Sequence, residues 1–147
     1  MIKITTRIPN ISGSVQRAMP TGTDMADMAL DSRSIILKRT TSGLDVNGAE
    51  FKEYSERYAN AKAAAGRQTS RVDLTFHNRM LGSLAIKNIM NGAELYFADG
   101  ERRIVAYKHQ MGIGVPQREF FGLSEREMRQ LADKLAQKIQ QRLNYDK

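Results

Sequence analysis

The sequence predicts an α+β fold: a small antiparallel sheet packed with helices, a long C-terminal amphipathic helix and an extended N-terminal arm. Three observations carry this expectation. Met128, Leu131, Ala132, Leu135, Ala136, Ile139 and Leu143 recur at three- and four-residue steps opposite a polar face, the period of a helix with one buried side. Short alternating segments upstream are punctuated by Asn91-Gly92 and Asp99-Gly100, pairs that readily reverse the chain. The first residues alternate only briefly before Pro9-Asn10, Ser12-Gly13-Ser14 and Pro20-Thr21-Gly22 interrupt them. The chain therefore divides into an arm, residues 1–22, and a single α+β domain, residues 23–147.

In the arm, Ile2, Ile4 and Ile8 are separated by Lys3, Thr5, Thr6 and Arg7, a partial strand alternation. Such a strand, lacking a sequential neighbour, pairs with a distant strand or adds to another subunit's sheet edge. The second partner is the one expected here. A first helix is expected from Thr23 or Asp24, with Met25, Met28, Ala29, Ser32, Ile36 and Leu37 as its stripe, ending before Ser42-Gly43. After the turn Asp45-Val46-Asn47-Gly48, Phe51, Tyr54 and Tyr58 place three rings on one side of a helical turn. Gly66 to Ser70 reads as a loop. Val72, Leu74 and Phe76 alternate with Asp73, Thr75 and His77, which predicts a strand.

Met80, Leu81 and Leu84 suggest a short helical contact. Ile86 to Met90 and Ala93 to Phe97 form a hairpin about Asn91-Gly92. Ile104, Val105 and Lys108 sit on a helix that Gly112 ends in the left-handed conformation. Ser124 and Glu127 form a capping box in which two side chains satisfy backbone N–H groups at the start of the last helix.

Composition narrows the function classes. The chain is 41% hydrophobic, with five Tyr, five Phe, no Trp and eight Met, so its core is expected to be mostly aliphatic with adaptable packing. With no Cys, disulfides and thiolate metal sites are excluded. No apolar run approaches the ~20 residues of a membrane span. No apolar segment follows Lys3 and Arg7, so no secretory signal is expected. The net charge of +7 is concentrated in two acid-free windows, one with Lys3, Arg7 and Arg17, the other with Arg57, Lys62, Arg67 and Arg71. A solvated basic surface is the simpler reading, but phosphate attraction needs only positive charge, so the second window is a candidate DNA-facing surface.

No arrangement of residues supports catalysis. His77 and His109 are the only histidines, and neither has Cys or carboxylates at ligand spacing. Gly112-Ile113-Gly114 lacks the third glycine and preceding strand of a dinucleotide site. Glu125 and Glu127 belong in a first helical turn, where they favour the helix dipole. The expectation is a protein that is not an enzyme and has no metal and no cofactor. Phe120-Phe121, flanked by Arg118, either plugs the core or anchors a subunit interface, since aromatic and Arg side chains concentrate binding energy.

Taken in order, several segments resemble the phage virion morphogenesis family, the tail-completion or neck proteins of Mu-like phages. They are Arg39-Thr40, Asp45-Val46-Asn47-Gly48, Phe51, Tyr54, Tyr58 and Lys62, then Val72-Asp73-Leu74-Thr75, Arg79-Met80-Leu81 and Ser83-Leu84. The likeness is sharpest in His109-Gln110-Met111-Gly112 and in Pro116, Arg118 and Phe120-Phe121-Gly122-Leu123-Ser124. Asn78 stands where the family commonly has Gly, and Met111 where it usually has an aromatic residue. The resemblance covers about four-fifths of the chain.

It implies a structural virion protein that joins head and tail, assembled in the host cytoplasm and located in the neck. The subunit would form a homo-oligomeric ring, hexameric or dodecameric, around the DNA channel. Its partners would be neck or connector proteins on one side and tail-terminator or tail-tube proteins on the other, with non-specific contact to packaged DNA. Expected interface residues are Ile2, Ile4, Arg118, Phe120, Phe121, Met128, Leu131 and Leu135; expected channel-facing residues are Arg57, Lys62, Arg67 and Arg71. The alternatives are a tail terminator or stopper ring, or a free-standing basic DNA-binding module.

Overall fold

A computed structural model describes residues 1–5 and 18–145. In chain order the elements are β1 (Ile2–Thr5), α1 (Gly22–Thr41), α2 (Glu56–Ala64), α3 (Arg79–Gly82), β2 (Leu84–Ile89), β3 (Gly92–Phe97), α4 (Gly100–Met111) and α5 (Glu125–Tyr145). The fold is α+β, with a three-stranded sheet in the order β1-β3-β2. The described residues gather into two compact units. The first draws on Met1–Arg33, Ile86–Tyr96 and Leu123–Lys147, the second on Ser34–Ala85 and Phe97–Gly122.

The N-terminal strand finds its partner within the chain. β1 pairs antiparallel with β3, in the register Ile2 to Leu95, Lys3 to Glu94, Ile4 to Ala93 and Thr5 to Gly92. This corrects the expectation that it would add to a neighbouring subunit's edge: the hairpin leaves the outer edge of β3 open, and Ile2–Thr5 fill it. Gly92 is what permits the close approach. A Cβ there would stand 2.3 Å from the Ile4 carbonyl oxygen, far inside contact distance. Gly92→Ala is therefore expected to loosen β1, lowering hydrogen-exchange protection of its amides about tenfold. Unchanged protection would show that the pairing does not depend on that approach. The remaining arm residues, 6–17, including Ile8 and the breaks at Pro9 and Ser12-Gly13-Ser14, lie outside the described residues.

In the first unit, the helix starts at Gly22, one residue before Thr23. Thr21 and Asp24 cap it reciprocally: the Asp24 amide donates to Thr21 Oγ1 at 3.2 Å and the Thr21 amide to Asp24 Oδ2 at 2.8 Å. Met25, Ala29 and Ser32 form the buried stripe, and Leu131 of α5 is buried too. The capping box of α5 forms as expected, with Ser124 N donating to Glu127 Oε2 at 2.8 Å and Glu127 N to Ser124 Oγ at 3.2 Å.

In the second unit, Ile36, Leu81, Leu84, Phe97 and Phe120 are among the buried core residues. Asp99 caps α4, accepting from the amides of Glu101 and Arg102, and Gly112 ends it at φ 72°, the left-handed region. Two expectations fail here. Phe51 and Tyr54 precede α2, which starts only after the Ser55 cap, so the three rings do not share one helix. No strand forms over Val72–Phe76: Val72, Asp73 and Leu74 are all buried, and Leu74 sits at φ 55°, a left-handed conformation that no strand accommodates. The hydrogen bonds that hold this turn are made by Asp73 and Tyr54.

Candidate assembly surfaces and the buried polar knot

In the first unit, α1 and α5 pack antiparallel behind a ladder of ion pairs. Asp31 meets Lys134 at 2.6 Å, Asp27 meets Lys138 at 2.5 Å, and Asp24 takes both Arg142 Nη2, at 2.7 Å, and Lys138, at 3.3 Å. The outer two rungs are exposed and contribute little individually. Asp24 differs, because its side chain is 1% exposed and accepts two bonds from the Arg142 guanidinium. Burial alone would raise its carboxyl. The bonds from the Thr21 backbone and from Arg142 and Lys138 outweigh that and hold it at about 2.

Beside this ladder lies an open groove of about 380 Å³ whose walls include Ile2, Ile4, Met28, Leu123, Met128 and Leu131. Met128 is 50% exposed and Leu30, on the adjoining face of α1, is 55% exposed, so the amphipathic stripe of α5 is only partly covered by its own chain. Of the residues expected at an interface, Ile2, Ile4 and Met128 border this groove, as does Leu131, whose side chain is otherwise buried. Leu135 is half-buried in a second depression between α1 and α5.

The second unit carries a different apolar surface. Ile104, Tyr107 and Met111 follow one another at i, i+3 and i+7 along α4 and are 56%, 57% and 53% exposed, and Ile113 lies just beyond. Their opposite face, through Ala106, faces the core. The helix expected over Ile104, Val105 and Lys108 forms, and it turns the Ile104 side chain outward.

Arg118 and Phe120 are not where an interface would need them. Phe120 is fully buried against Phe97, with ring centroids 6.2 Å apart, while Phe121 is half-buried at 5.1 Å from the same ring. Arg118 is buried as well. Its Nε and Nη2 donate to the Lys52 carbonyl at 3.0 and 2.8 Å, its Nη2 also to the Glu53 carbonyl at 2.9 Å, and its guanidinium lies 5.2 Å from the Tyr54 ring centroid. Extended chain with unpaired carbonyls at 52–53 needs internal donors, and the five N–H groups of an Arg supply them.

The segment 109–122 is a scaffold of the same kind. Gln110 accepts from the Phe121 amide at 3.0 Å and donates to the Phe121 carbonyl at 3.3 Å. The Arg118 amide donates to the His109 carbonyl at 2.7 Å. Arg39, missed as a site residue by sequence reasoning, reaches across with Nη2 to the carbonyls of Phe120 and Gly122, both at 2.8 Å.

Lys62 is a correction among the expected DNA-facing residues. Its side chain is fully buried, donating to Asp73 Oδ1 at 2.5 Å and lying 5.1 Å from the Tyr54 ring centroid. A lysine so enclosed cannot face a channel; it neutralises Asp73. That carboxylate also accepts from Gln68 Nε2 and from the Thr75 amide at 3.0 Å. Burial pushes the Asp73 carboxyl up, and the bonds from Lys62, Gln68 and Thr75 more than offset it, leaving it at about 2. The Tyr54 hydroxyl accepts from the Leu74 amide at 2.9 Å and is pushed up to about 12, first by burial. Arg118 Nη1 donates to Nδ1 of His109 at 3.3 Å; burial and then the Arg118 charge lower that imidazole to about 4. Arg57, Arg67 and Arg71 are exposed, and Arg71 Nε bonds the Thr41 carbonyl at 2.8 Å.

Among the described residues, no group of three His, Cys, Asp or Glu side chains is placed to hold a metal ion, and no helix is long and apolar enough to cross a membrane. No protein-family model, curated protein or solved structure matches the chain.

Proposed function

We propose that this protein is a structural virion subunit that joins head and tail in a tailed phage, assembling head to tail into a ring of the neck. A closed ring built this way needs two unlike surfaces on each subunit, one to receive and one to insert. The observation that carries the reading is the presence of two such surfaces: the groove walled by Ile2, Ile4, Met28 and Met128 in the first unit, and the Ile104/Tyr107/Met111 stripe in the second. Exposed apolar surface of this kind is uncommon on proteins that remain monomers. The resemblance supports the same reading, since its motif residues build the rigid frame that carries the α4 stripe.

Deleting the gene from the producing phage should leave unjoined heads and finished tails in negative-stain electron micrographs, with joining restored by the wild-type gene. Complementation with Ile104→Ser/Tyr107→Ser/Met111→Ser should fail to restore joining, while the purified variant keeps its fold and sediments as a monomer. These changes touch only exposed side chains, so the cost to folding is expected to be under about 1 kcal/mol. Normal joined particles from the deletion would sink the proposal.

A further inference from the structure

A separate depression in the second unit, of about 110 Å³, has the chemistry of a ligand site. One wall is a run of rings: Tyr54 to Tyr58 at 4.6 Å between centroids, Tyr58 to Phe76 at 5.6 Å, and Phe76 to His77 at 4.4 Å. Tyr58 is 39% exposed, so part of this wall is open to solvent. The lining also includes two cations, Arg79 and Arg102, and among the described residues that line the depression there is no carboxylate. Arg102 has only a distant contact with the exposed carboxylate of Glu101, at 3.8 Å. Its buried Nε meets no hydrogen-bond acceptor among the described residues. A guanidinium N–H withdrawn from water without an acceptor costs free energy, and an anion bound beside it would remove that cost.

The rim is held in shape before any ligand arrives. Leu74 and Asn78 both adopt left-handed backbone, at φ 55° and 52°. A leucine in that region is strained, and strain of this kind persists where the surroundings enforce it, commonly at functional sites. Here the enforcing contacts are the Tyr54 hydroxyl on the Leu74 amide and the Asp73 carboxylate on the Thr75 amide. His109, kept neutral by burial, adds an uncharged ring to the lining.

We infer that this depression seats part of a nucleotide unit, its base stacking on the part-exposed Tyr58 ring and its phosphate held by Arg79 and Arg102. Stacking on an aromatic face is tolerant of base identity, and a planar guanidinium matches a phosphate by two parallel hydrogen bonds. A carboxylate-bearing peptide end would use the Arg pair but leave the part-exposed Tyr58 ring without a matching plane. The unit could come as a free nucleotide or within a strand; the chemistry is shared and the two sources separate on titration.

The test follows intrinsic Tyr fluorescence or amide chemical shifts of the full chain titrated with dAMP, with inorganic phosphate, and with a single-stranded dT12. Saturable binding of dAMP or of dT12, localised to residues 74–79 and 102–109, is expected. Preference for dT12 identifies a strand as the source, and binding of dAMP alone identifies free nucleotide. Tyr58→Leu and Arg79→Gln should each weaken binding by about tenfold, whereas Tyr58→Phe, which keeps the ring, should retain it. The exposed Arg79 variant keeps the test valid even if Tyr58→Leu unfolds. Absence of binding, equal binding of inorganic phosphate and dAMP, or affinity untouched by Arg79→Gln would each overturn the proposal. The ring reading does not depend on any of these outcomes.

Discussion

Asp73→Ala is expected to destabilise the protein by about 3–5 kcal/mol, read as a lower midpoint in urea unfolding at neutral pH, because it strands the fully buried Lys62 ammonium without its counter-charge. The same change removes the acceptor for Gln68 and for the Thr75 amide, so the loop that carries Leu74 at φ 55° loses the bonds that enforce it. The size of the loss reflects an uncompensated buried charge more than the worth of the pair. The double variant Lys62→Met/Asp73→Leu separates the two: it removes both charges, and is expected to recover most of the stability lost in Asp73→Ala. A loss below about 1 kcal/mol in the single variant would mean that Lys62 reaches water, and would return it to the basic surface on which the sequence seemed to place it.

That misplacement shows where the sequence stops being informative. Elements specified by local signals were legible: the Ser124/Glu127 capping box, the Gly112 cap, the hairpin and the long amphipathic α5. Asn78, read as part of a turn, takes the left-handed conformation that Asn tolerates. What was illegible was set by contacts distant in sequence. Nothing in a window of Ala, Gly and basic residues announces that Lys62 pairs with Asp73 eleven positions on, and a buried cation spells the same as an exposed one.

The alternation of Val72, Leu74 and Phe76 looked like a strand because period-two spacing is also met by an irregular segment that turns its apolar side chains inward. Arg118 beside Phe120-Phe121 had the composition of an interface anchor. It is instead the donor that satisfies the carbonyls of Lys52 and Glu53, a demand set by the path of a segment far away in the chain. The α4 stripe was hidden for the opposite reason: apolar residues at helical spacing are normally core, and only the packing of Ala106 shows which side faces in.

Stability is expected to fall in two stages as the pH is lowered, and the order follows from the direction of each shift. His109 is held at about 4 when folded, against an ordinary value near 6.5. Between those values the unfolded chain binds the proton and the folded chain does not, so stability decreases from about pH 6.5 and this loss is complete near pH 4. Its size is on the order of 3 kcal/mol at most, less where solvent screens the half-buried ring. Asp24 and Asp73 are held at about 2 against 3.8. Their contribution is full above 3.8 and disappears as the pH falls toward 2, adding about 2 kcal/mol each to the loss. On the alkaline side Tyr54, pushed up to about 12, stays protonated in the folded chain while the unfolded chain ionises, so stability also declines as the pH rises from 10 toward 12. Urea midpoints measured from pH 2 to 8 resolve the acid stages. His109→Gln should abolish the slope between pH 6.5 and 4 and keep the steeper fall below 4; Asp24→Asn should lower stability at neutral pH and flatten that second fall. A midpoint independent of pH between 6.5 and 4 in the unmodified protein would mean that His109 is solvated and that Arg118 does not oppose its charge. The buried knot would then be looser than its hydrogen bonds require.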